Sequence, residues 1–334
     1  MPNRIDVHTH YVPKEFPNFA GRPDGARWPC MQMVDARHGQ VMISGRIFRT
    51  VSNQCWDGAV RVQDMEQEGV TEQVVSPMPE LFSYWAATSD ARDFCRSVNE
   101  GIADLVGRFP GRFHGLGQVP LQDPDLAAKE LAGLRSMGLV GVEAGSHVLD
   151  ATLADPRYAG FLDELTRLDL CVFVHAFQPV GADRFIIAKA AIASAIAFPT
   201  DTALTIGAFI GNGVFERWKT LRVAFSHGGG AFAMCLPRLL DHWERVPDLR
   251  AALPQSPLTY ARRAFYDTLV YRPEAFRYIR EWFGVDRLIV GSDYPFQVRE
   301  TPPGKVLASV ELSADEQRAI SYENCRRFLG LAVH

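Results

Sequence analysis

The sequence predicts a (β/α)8 barrel that forms a single domain over residues 1–334. Three observations support this fold class. Short apolar runs of strand length recur along the chain, segments with helical spacing separate most of them, and chemically reactive side chains stand at the ends of four runs. These side chains belong to His8, His10, His175, His227 and Asp293. Because the active site of such a barrel lies at the carboxyl ends of its strands, the pattern also predicts where the chemistry takes place.

Eight strands are predicted from short apolar runs bounded by turn residues. They span residues 4–7, 71–76, 113–119, 139–144, 170–174, 221–225, 264–268 and 288–292. Helices are predicted between them at residues 60–68, 89–109, 127–137, 158–168 and 231–246. Residues 11–55 interrupt this alternation after the first strand. Since they are dense in Pro, Gly and Arg, we expect a loop-rich insertion there.

The composition is that of an ordinary water-soluble enzyme. The chain is 47% hydrophobic and 22% charged, with a formal net charge of −4, which gives no electrostatic reason to expect a nucleic-acid or membrane partner. The first residues lack the apolar core of a signal peptide, so we expect a cytoplasmic protein. The six cysteines form no C-x-x-C pair, and we interpret them as buried, reduced thiols.

Three histidines and an aspartate form a candidate metal site. His8 and His10 are two residues apart, so on an extended strand they point to the same face. Taken alone, His175 is compatible with a core histidine, and Asp293 with an aspartate that caps a turn. Together, the four side chains are a nitrogen and oxygen ligand set suited to a catalytic divalent ion. The carboxylate of Asp293 could also accept a proton from water.

His227 has two alternative roles near that ion. It lies in the segment Ser226-His227-Gly228-Gly229-Gly230, where glycines let the backbone approach a ligand closely. It could be a fourth histidine ligand, but a catalytic site keeps one position open for water or substrate. We therefore interpret His227 as the general acid/base, because an imidazole exchanges protons near neutral pH.

With these residues placed, the chain resembles the amidohydrolase superfamily and, within it, the α-amino-β-carboxymuconate-ε-semialdehyde decarboxylases. The matching segments include Ile5-Asp6-Val7-His8-Thr9-His10, Phe48-Arg49, Cys55-Trp56-Asp57, Phe82-Ser83-Tyr84-Trp85-Ala86, Gln118-Val119-Pro120-Leu121-Gln122, Gly145-Ser146-His147, His227-Gly228-Gly229-Gly230-Ala231-Phe232 and Ser292-Asp293-Tyr294-Pro295-Phe296.

The resemblance implies one Zn²⁺ per chain, with another divalent metal as the alternative. It implies His8, His10, His175 and Asp293 as ligands, and His227 as the catalytic base. It further implies that Arg49 binds a carboxylate of a small-molecule substrate. Arg238 is expected to reach a substrate carboxylate in the neighbouring subunit of a homodimer. Arginine suits both tasks because its planar fork binds a carboxylate through two hydrogen bonds.

Departures from the family pattern fall around the predicted pocket. The chain has His175-Ala176-Phe177-Gln178 where the family has His-Pro-Trp-Asp, and a family tryptophan falls near Ser194. We expect Phe177 and Phe296 to line the substrate pocket. Glu143 replaces a neutral Gln of the family. It has three alternative roles: ligand of a second ion, partner of a substrate amino group, or a structural hydrogen bond.

An apolar stretch at residues 185–198 contains Lys189 and follows the fifth predicted strand. It is shorter than a membrane span and carries a charge. We expect a helix over the active site that is buried or contacts another subunit.

The sequence thus predicts a zinc-dependent, non-oxidative decarboxylase of a carboxymuconate semialdehyde or a related acid from aromatic ring cleavage, without a redox cofactor. A metal-dependent hydrolase or hydratase acting on a similar unsaturated acid is the alternative, for which Glu143 and the altered segment after His175 are the arguments. A binding protein that kept the fold without catalysis is the third hypothesis.

Overall fold

Eight parallel strands form the wall of a barrel in the computed structural model, which describes residues 3–333. The strands of the structure are β1 Ile5–Tyr11, β2 Cys30–Met33, β3 His38–Ile43, β4 Arg46–Ser52, β5 Glu72–Pro77, β6 Phe113–Gly117, β7 Gly141–Gly145, β8 Cys171–His175, β9 Val223–Phe225, β10 Phe265–Asp267 and β11 Leu288–Ile289. The barrel strands pair in the order β1-β5-β6-β7-β8-β9-β10-β11. The predicted (β/α)8 fold is therefore confirmed.

Helices connect the barrel strands and cover the outside of the wall. They are α1 Gly58–Glu68, α2 Thr88–Arg108, α3 Pro124–Ser136, α4 Ala159–Arg167, α5 Lys189–Ile192, α6 Phe198–Gly211, α7 Val214–Arg217, α8 Phe232–Arg245, α9 Pro247–Ala252, α10 Pro257–Ala261, α11 Pro273–Phe283, α12 Ala314–Arg318 and α13 Asn324–Leu329. Asp57 and Asp123 begin α1 and α3, where their side chains accept hydrogen bonds from first-turn amides.

Backbone hydrogen bonds between the first and last strands close the barrel. Val7 donates its amide hydrogen to the carbonyl oxygen of Val290 at 2.8 Å, and Asp293 donates to His8 at 2.9 Å. His10 donates to Tyr294 at 2.7 Å. These bonds join β1, the first barrel strand, to the residues that follow β11, the last one. Asp293 therefore lies next to the histidines of β1.

The barrel interior is a packed apolar core at one end and polar at the other. The apolar part consists of buried side chains from the barrel strands and from α13, which closes this end. From the strands come Ile5, Val7, Val74, Leu116, Cys171, Phe173, Ala224, Phe265 and Ile289, and from α13 come Cys325, Phe328 and Leu329. The next inward positions toward the carboxyl ends include His175 and Asp267. The core therefore fills the lower barrel and leaves its carboxyl end for polar groups.

Two segments differ from the sequence-based expectation. Residues 11–55 contain loops as predicted, but β2, β3 and β4 also form a three-stranded antiparallel sheet there. The first barrel strand is longer than predicted and continues to Tyr11, because parallel pairing with β5 extends to Pro77. His8 and His10 therefore lie within β1 rather than after it.

The predicted helix at residues 185–198 begins later and ends further along the chain. A continuous helix runs from Lys189 to Gly211, with a π-helical turn at Ala193–Ala197 between α5 and α6. Pro199 does not end it, because the π-helical turn directly before the proline changes the local hydrogen-bond pattern. The helix is long and apolar enough to cross a membrane, contrary to the expected short stretch. However, 44% of its most apolar window is buried against the protein, and α6 packs on α7 and α8.

All six cysteines are free thiols. Cys55, Cys95, Cys171 and Cys325 are buried, while Cys30 and Cys235 are exposed. The prediction of buried thiols is therefore confirmed for four cysteines and wrong for Cys30 and Cys235.

Candidate metal centre and active site

Four side chains converge at the carboxyl end of the barrel. His8 and His10 come from β1, His175 is the last residue of β8, and Asp293 follows β11. One nitrogen or oxygen atom from each lies within 4.8 Å of the others. The Nε2 atoms of His8 and His10 are 3.2 Å apart. Asp293 Oδ1 lies 2.9 Å from the Nε2 of His10 and 3.6 Å from that of His8. The structure thus brings together the four ligands predicted from sequence.

The outer nitrogens of the three imidazoles orient them for a metal ion. Nδ1 of His8 lies 2.7 Å from Asp267 Oδ2, and Nδ1 of His175 lies 2.7 Å from the carbonyl oxygen of Ala176. Nδ1 of His10 faces the carbonyl oxygen of Pro77 at 3.4 Å. Since these oxygens accept a hydrogen bond from Nδ1, the neutral rings turn the lone pairs of Nε2 inward.

The inward nitrogens suit a cation. Nε2 of His175 is buried and has no hydrogen-bond partner in the described residues. The Nε2 atoms of His8 and His10 face each other and the carboxylate of Asp293, and once both rings are neutral their lone pairs repel unless a positive charge lies between the atoms. The residues present therefore fit a divalent metal ion.

The pKa values of the three imidazoles shift in different directions. Burial lowers the pKa of His10 to about 4, and it lowers that of His175 well below its ordinary value, with nearby His8 adding to the effect on His175. Burial also disfavours the charged form of His8, but the hydrogen bond and charge of Asp267 outweigh it and raise the pKa of His8 to about 9. Two imidazoles are therefore ready as neutral ligands, and a metal ion displaces a proton from the third.

Asp267 is a functional residue that sequence reasoning missed. It is buried at the end of β10, and it accepts hydrogen bonds from His8 Nδ1 and from the amides of His227, Gly228 and Leu269. Burial alone raises the pKa of this carboxyl, but the hydrogen bond from His8 and the charges of both histidines bring it below its usual value. A signal was present, since Asp267 stands one residue before the end of the seventh predicted strand, residues 264–268, and it ends that strand in the structure.

His227 lies beside the four ligands but outside their group. Its ring centroid is 5.2 Å from that of His8 and 5.0 Å from that of His175. Burial and the charge of His8 lower its pKa, and its buried Nδ1 has no partner among the described residues. A neutral imidazole with a free nitrogen can accept a proton.

Two residues of the site have strained backbone. His227 has φ of 56° and Asp293 has φ of 72°, both in the left-handed region that residues other than glycine rarely adopt. Close packing adds to this constraint. A Cβ atom at Gly291 would lie 2.9 Å from the Cβ of His8 and 2.8 Å from that of Asp267, so only glycine lets the chain reach Asp293 by this route.

The insertion contributes Arg49 to the rim of the site. Arg49 lies on β4, and its guanidinium carbon is 4.1 Å from the ring centroid of Phe296. The ring of Phe296 in turn stacks on His10, with centroids 5.1 Å apart and an interplanar angle of 20°. Glu80 faces the same guanidinium at 4.0 Å. The Arg49 guanidinium therefore stacks on Phe296, and Phe296 stacks on the ring of His10, a predicted metal ligand. Both Arg49 and Phe296 were predicted to belong to the substrate pocket.

Phe177 belongs to an aromatic wall on the opposite strands. Its ring lies 5.4 Å from that of Tyr84 and 5.5 Å from that of Phe82, measured between centroids. Its amide donates to the hydroxyl of Ser146 at 3.1 Å, and this hydroxyl also hydrogen-bonds the buried carboxylate of Asp201 on α6. The helix that follows β8 thus holds the loop that carries Phe177.

Glu143 lies on β7 and is 1% exposed. Its charged neighbours are His8 and Asp293, both predicted metal ligands, and Glu80. Neither of its carboxyl oxygens has a hydrogen-bond partner within residues 3–333, and neither belongs to the metal-ligand group.

Arg238 and Ser194 do not join the site within one chain. Arg238 is exposed on α8 and forms no ion pair with the residues described. Ser194 is exposed in the π-helical turn, where its hydroxyl donates to the carbonyl oxygen of Ala191 at 2.9 Å.

Comparisons with known proteins agree with this geometry. The sequence profile of the family described as Amidohydrolase matches residues 5–331. The chain is 34% identical over 331 residues to the 2-amino-3-carboxymuconate-6-semialdehyde decarboxylase of Dictyostelium discoideum, which covers 98% of this chain and 92% of that protein.

Solved structures share the fold at lower sequence identity. The 5-carboxyvanillate decarboxylase of Sphingomonas paucimobilis superimposes with a TM-score of 0.80 at 20% identity, covering 99% of this chain and 100% of that one. The dihydroxybenzoic acid decarboxylase of Polaromonas sp. JS666, solved with manganese and the inhibitor 2-nitroresorcinol, gives a TM-score of 0.73 at 19% identity and covers 99% and 97% of the two chains.

Proposed function

This chain belongs to the amidohydrolase family, and from that premise we propose that it is a metal-dependent carboxy-lyase. It removes carbon dioxide without a redox cofactor, and its substrate is a carboxymuconate semialdehyde or a related acid from aromatic ring cleavage. The observation that carries the proposal is the convergence of the Nε2 atoms of His8 and His10 on the carboxylate of Asp293, with the unpartnered Nε2 of His175 beside them. The decarboxylase relative that is 34% identical along nearly the whole chain supports the reaction class.

His8, His10, His175 and Asp293 are proposed to hold one divalent ion. That ion supplies positive charge where negative charge develops on the substrate as carbon dioxide leaves. Zn²⁺ suits three imidazoles and a carboxylate, and the manganese in the dihydroxybenzoic acid decarboxylase makes Mn²⁺ the competing candidate. Metal analysis of the purified protein, followed by reconstitution with each ion, distinguishes them.

His227 is proposed as the acid/base of the reaction. Its Nδ1, which has no partner within residues 3–333, first accepts a proton from solvent, and the imidazolium then delivers a proton to the carbon that bears the carboxylate, which leaves an electron-poor π system at that position. The carbon–carboxylate bond then breaks, its electron pair restores the π system, and carbon dioxide departs. The proton has replaced the carboxylate in the product. Asp293, whose pKa the neighbouring histidines lower despite its burial, stays ionised and can accept a proton from water.

Arg49 is proposed to bind the carboxylate of the substrate. Its guanidinium sits on the face of Phe296 at the rim, 4.0 Å from Glu80, so an incoming carboxylate meets a positioned cation. Phe177 and Phe296 form apolar surfaces on two sides of this approach. A planar, conjugated acid fits between aromatic walls with its carboxylate toward the arginine.

The release of carbon dioxide tests the proposal. The metal-loaded protein is incubated with 2-amino-3-carboxymuconate-6-semialdehyde, its hydroxy analogue, 5-carboxyvanillate and a dihydroxybenzoic acid. We expect stoichiometric carbon dioxide from at least one acid, and none after the metal is removed by a chelator. Absence of release from all of them, together with hydrolysis of an amide or lactone, would replace the decarboxylase by the hydrolase alternative.

A homodimer is proposed to complete the site through Arg238. Met234, one turn before it on α8, is 68% exposed, and elsewhere on the surface Ile186 and Ile187 are 92% and 82% exposed. Such side chains favour contact with another subunit. Mixing an Arg238→Ala variant with a His227→Ala variant tests this idea, because subunit exchange then gives heterodimers with one intact site. We expect the mixture to regain about a quarter of the native activity, whereas no recovery in exchanged dimers would place the function of Arg238 within its own subunit.

A further inference from the structure

Unpartnered acceptor atoms are concentrated at the carboxyl end of the barrel. In the part of the chain that the structure describes, every buried side-chain carbonyl, carboxyl or imidazole-nitrogen atom without a hydrogen-bond partner lies on or after one of the strands β6–β9. These atoms belong to Gln118, Gln122, Glu143, His175 and His227. Buried acceptors are normally paired, so these atoms suit ligands that bring positive charge or hydrogen-bond donors. A divalent ion would satisfy His175, but the carboxyl group of Glu143 lies outside the ligand group.

Neither carboxyl oxygen of Glu143 has a hydrogen-bond partner within residues 3–333. The hydroxyl of Ser76 on β5 is close enough to lower the pKa of Glu143, but it donates its proton to the carbonyl oxygen of Thr9 at 3.1 Å. Burial raises the pKa of Glu143 well above its ordinary value and outweighs the opposite effects of His8 and Ser76. Because a buried carboxyl group without a hydrogen bond is costly, this position favours a ligand that brings a donor.

Glu143 lies on the inner face of the barrel, close to the proposed metal ligands. It pairs with Phe173 on β8, two residues before the ligand His175. On both strands the side chains two positions apart share the inner face of the barrel. His8 and Asp293, both proposed metal ligands, are among its charged neighbours.

We propose that Glu143 determines which acids the site accepts, by binding an N–H or O–H donor that the substrate carries next to its departing carboxylate. This inference rests on the proposed function and narrows its substrate class to acids with an amino or hydroxyl group at that position. An acid with a methoxy group there offers no donor and leaves the carboxyl group unpaired.

Equilibrium binding to the metal-loaded protein tests this without turnover. The probes are 2-nitroresorcinol, which has two hydroxyl donors, and its dimethyl ether, which has none. We expect the native protein to prefer the resorcinol, and the Glu143→Leu variant to lose about 10- to 100-fold of that preference, the usual effect of a hydrogen bond to an ionisable group. Comparing 2-amino- and 2-hydroxy-substituted acids in the native protein then separates amino from hydroxyl donors.

A matched control is available in Glu300. This glutamate is also buried, but its two oxygens accept hydrogen bonds from the amides of Gly304 at 2.8 Å and Val306 at 2.9 Å. A Glu300→Gln variant should keep the native preference. If Glu143→Leu does not fold, Glu143→Gln keeps the shape and one acceptor, and we expect a several-fold loss of preference instead.

Two results would overturn the inference. One is an unchanged preference in the Glu143 variants. The other is a second metal ion in the native protein that the Glu143 variants lack, which would make this residue a ligand. The proposed function is tested separately. If the protein releases no carbon dioxide but still prefers probes with a donor, the decarboxylase proposal is refuted. If it releases carbon dioxide but the native and variant proteins show the same preference, only the role of Glu143 is refuted.

Discussion

Replacement of Asp267 by asparagine should weaken metal binding by changing the tautomer of His8. The Asp267 carboxylate accepts four hydrogen bonds: from His8 Nδ1 at 2.7 Å and the amide of His227 at 3.0 Å on Oδ2, and from the amides of Gly228 at 2.8 Å and Leu269 at 3.1 Å on Oδ1. An asparagine offers one oxygen and one NH2 group, so the NH2 group must face two of these donors.

The magnitude follows from this mismatch. If the amide oxygen stays with Gly228 and Leu269, the NH2 group faces His8 and His227, and two hydrogen bonds to a buried carboxylate are lost. We expect a loss of about 3–5 kcal/mol in the free energy of unfolding of the apoprotein. His8 can recover a bond by turning Nδ1 into an acceptor, but the proton then occupies Nε2, the nitrogen needed by the metal. Metal affinity should therefore fall about 10- to 100-fold.

Chelator competition with Zn²⁺ and Mn²⁺ measures the affinity, and urea unfolding of the apoprotein measures the stability. Asp201→Asn is the matched control, because Asp201 is also buried but bonds Ser146 and Val180 rather than a ligand. This control should keep native metal affinity. Native metal affinity in the Asp267→Asn variant would show that Asp267 does not set the tautomer of His8.

Three further predictions concern the base, the carboxylate-binding arginine and the opposite end of the barrel. His227→Ala should retain the metal while kcat falls about 100- to 10,000-fold, and loss of the ion from this variant would make His227 a ligand instead. Arg49→Met should lower kcat/KM about 10- to 100-fold without changing metal content; unchanged kinetics would assign the substrate carboxylate to another group. Burial opposes ionisation of Glu72, but His114 at 2.6 Å and Arg326 at 3.7 Å lower its pKa. Its contribution to stability is therefore present above the unfolded pKa of about 4.3 and is lost as pH falls through the lower folded pKa. Urea unfolding should thus show Glu72→Gln about 1–2 kcal/mol less stable at pH 7, and a difference that stays constant down to pH 3 would contradict this assignment.

The parallel strands could be predicted because burial on both faces gives them apolar runs with polar residues at their ends. That signal located His175 and Asp293 correctly relative to the fold, since each follows the apolar part of a strand. It failed to single out Asp267 because this aspartate lies within a short predicted strand, residues 264–268, and an aspartate near a strand end is also an ordinary turn residue. Its role depends on contacts with His8 and His227, which are far away in sequence.

The insertion and the long helix were harder to predict for different reasons. Strands β2–β4 have exposed side chains on much of their surface, so their sequence lacks the apolar alternation that identifies a half-buried strand. In the long helix, Pro199 suggests a boundary in sequence, but a preceding π-helical turn accommodates it. The contact of Arg49 with Phe296 depends on both the insertion sheet and the loop after β11, and no local pattern encodes that pairing.

Asp267 links the metal centre to the base, and this link has a measurable consequence. The same carboxylate oxygen that faces His8 also accepts the amide hydrogen of His227, and His227 holds its strained φ of 56° within that contact. The orientation of the ligand and of the base are therefore not independent. At saturating metal, Asp267→Asn should still reduce kcat, because the base is misplaced. Adding His227→Ala to that variant should then cost less than it does in the native protein, since a misplaced base has less to lose. A full double-mutant cycle of kcat measures this coupling, with Asp201→Asn in place of Asp267→Asn as the additive control. Strict additivity in both cycles would mean that Asp267 supports the metal ligand alone, and that the turn carrying His227 keeps its geometry without it.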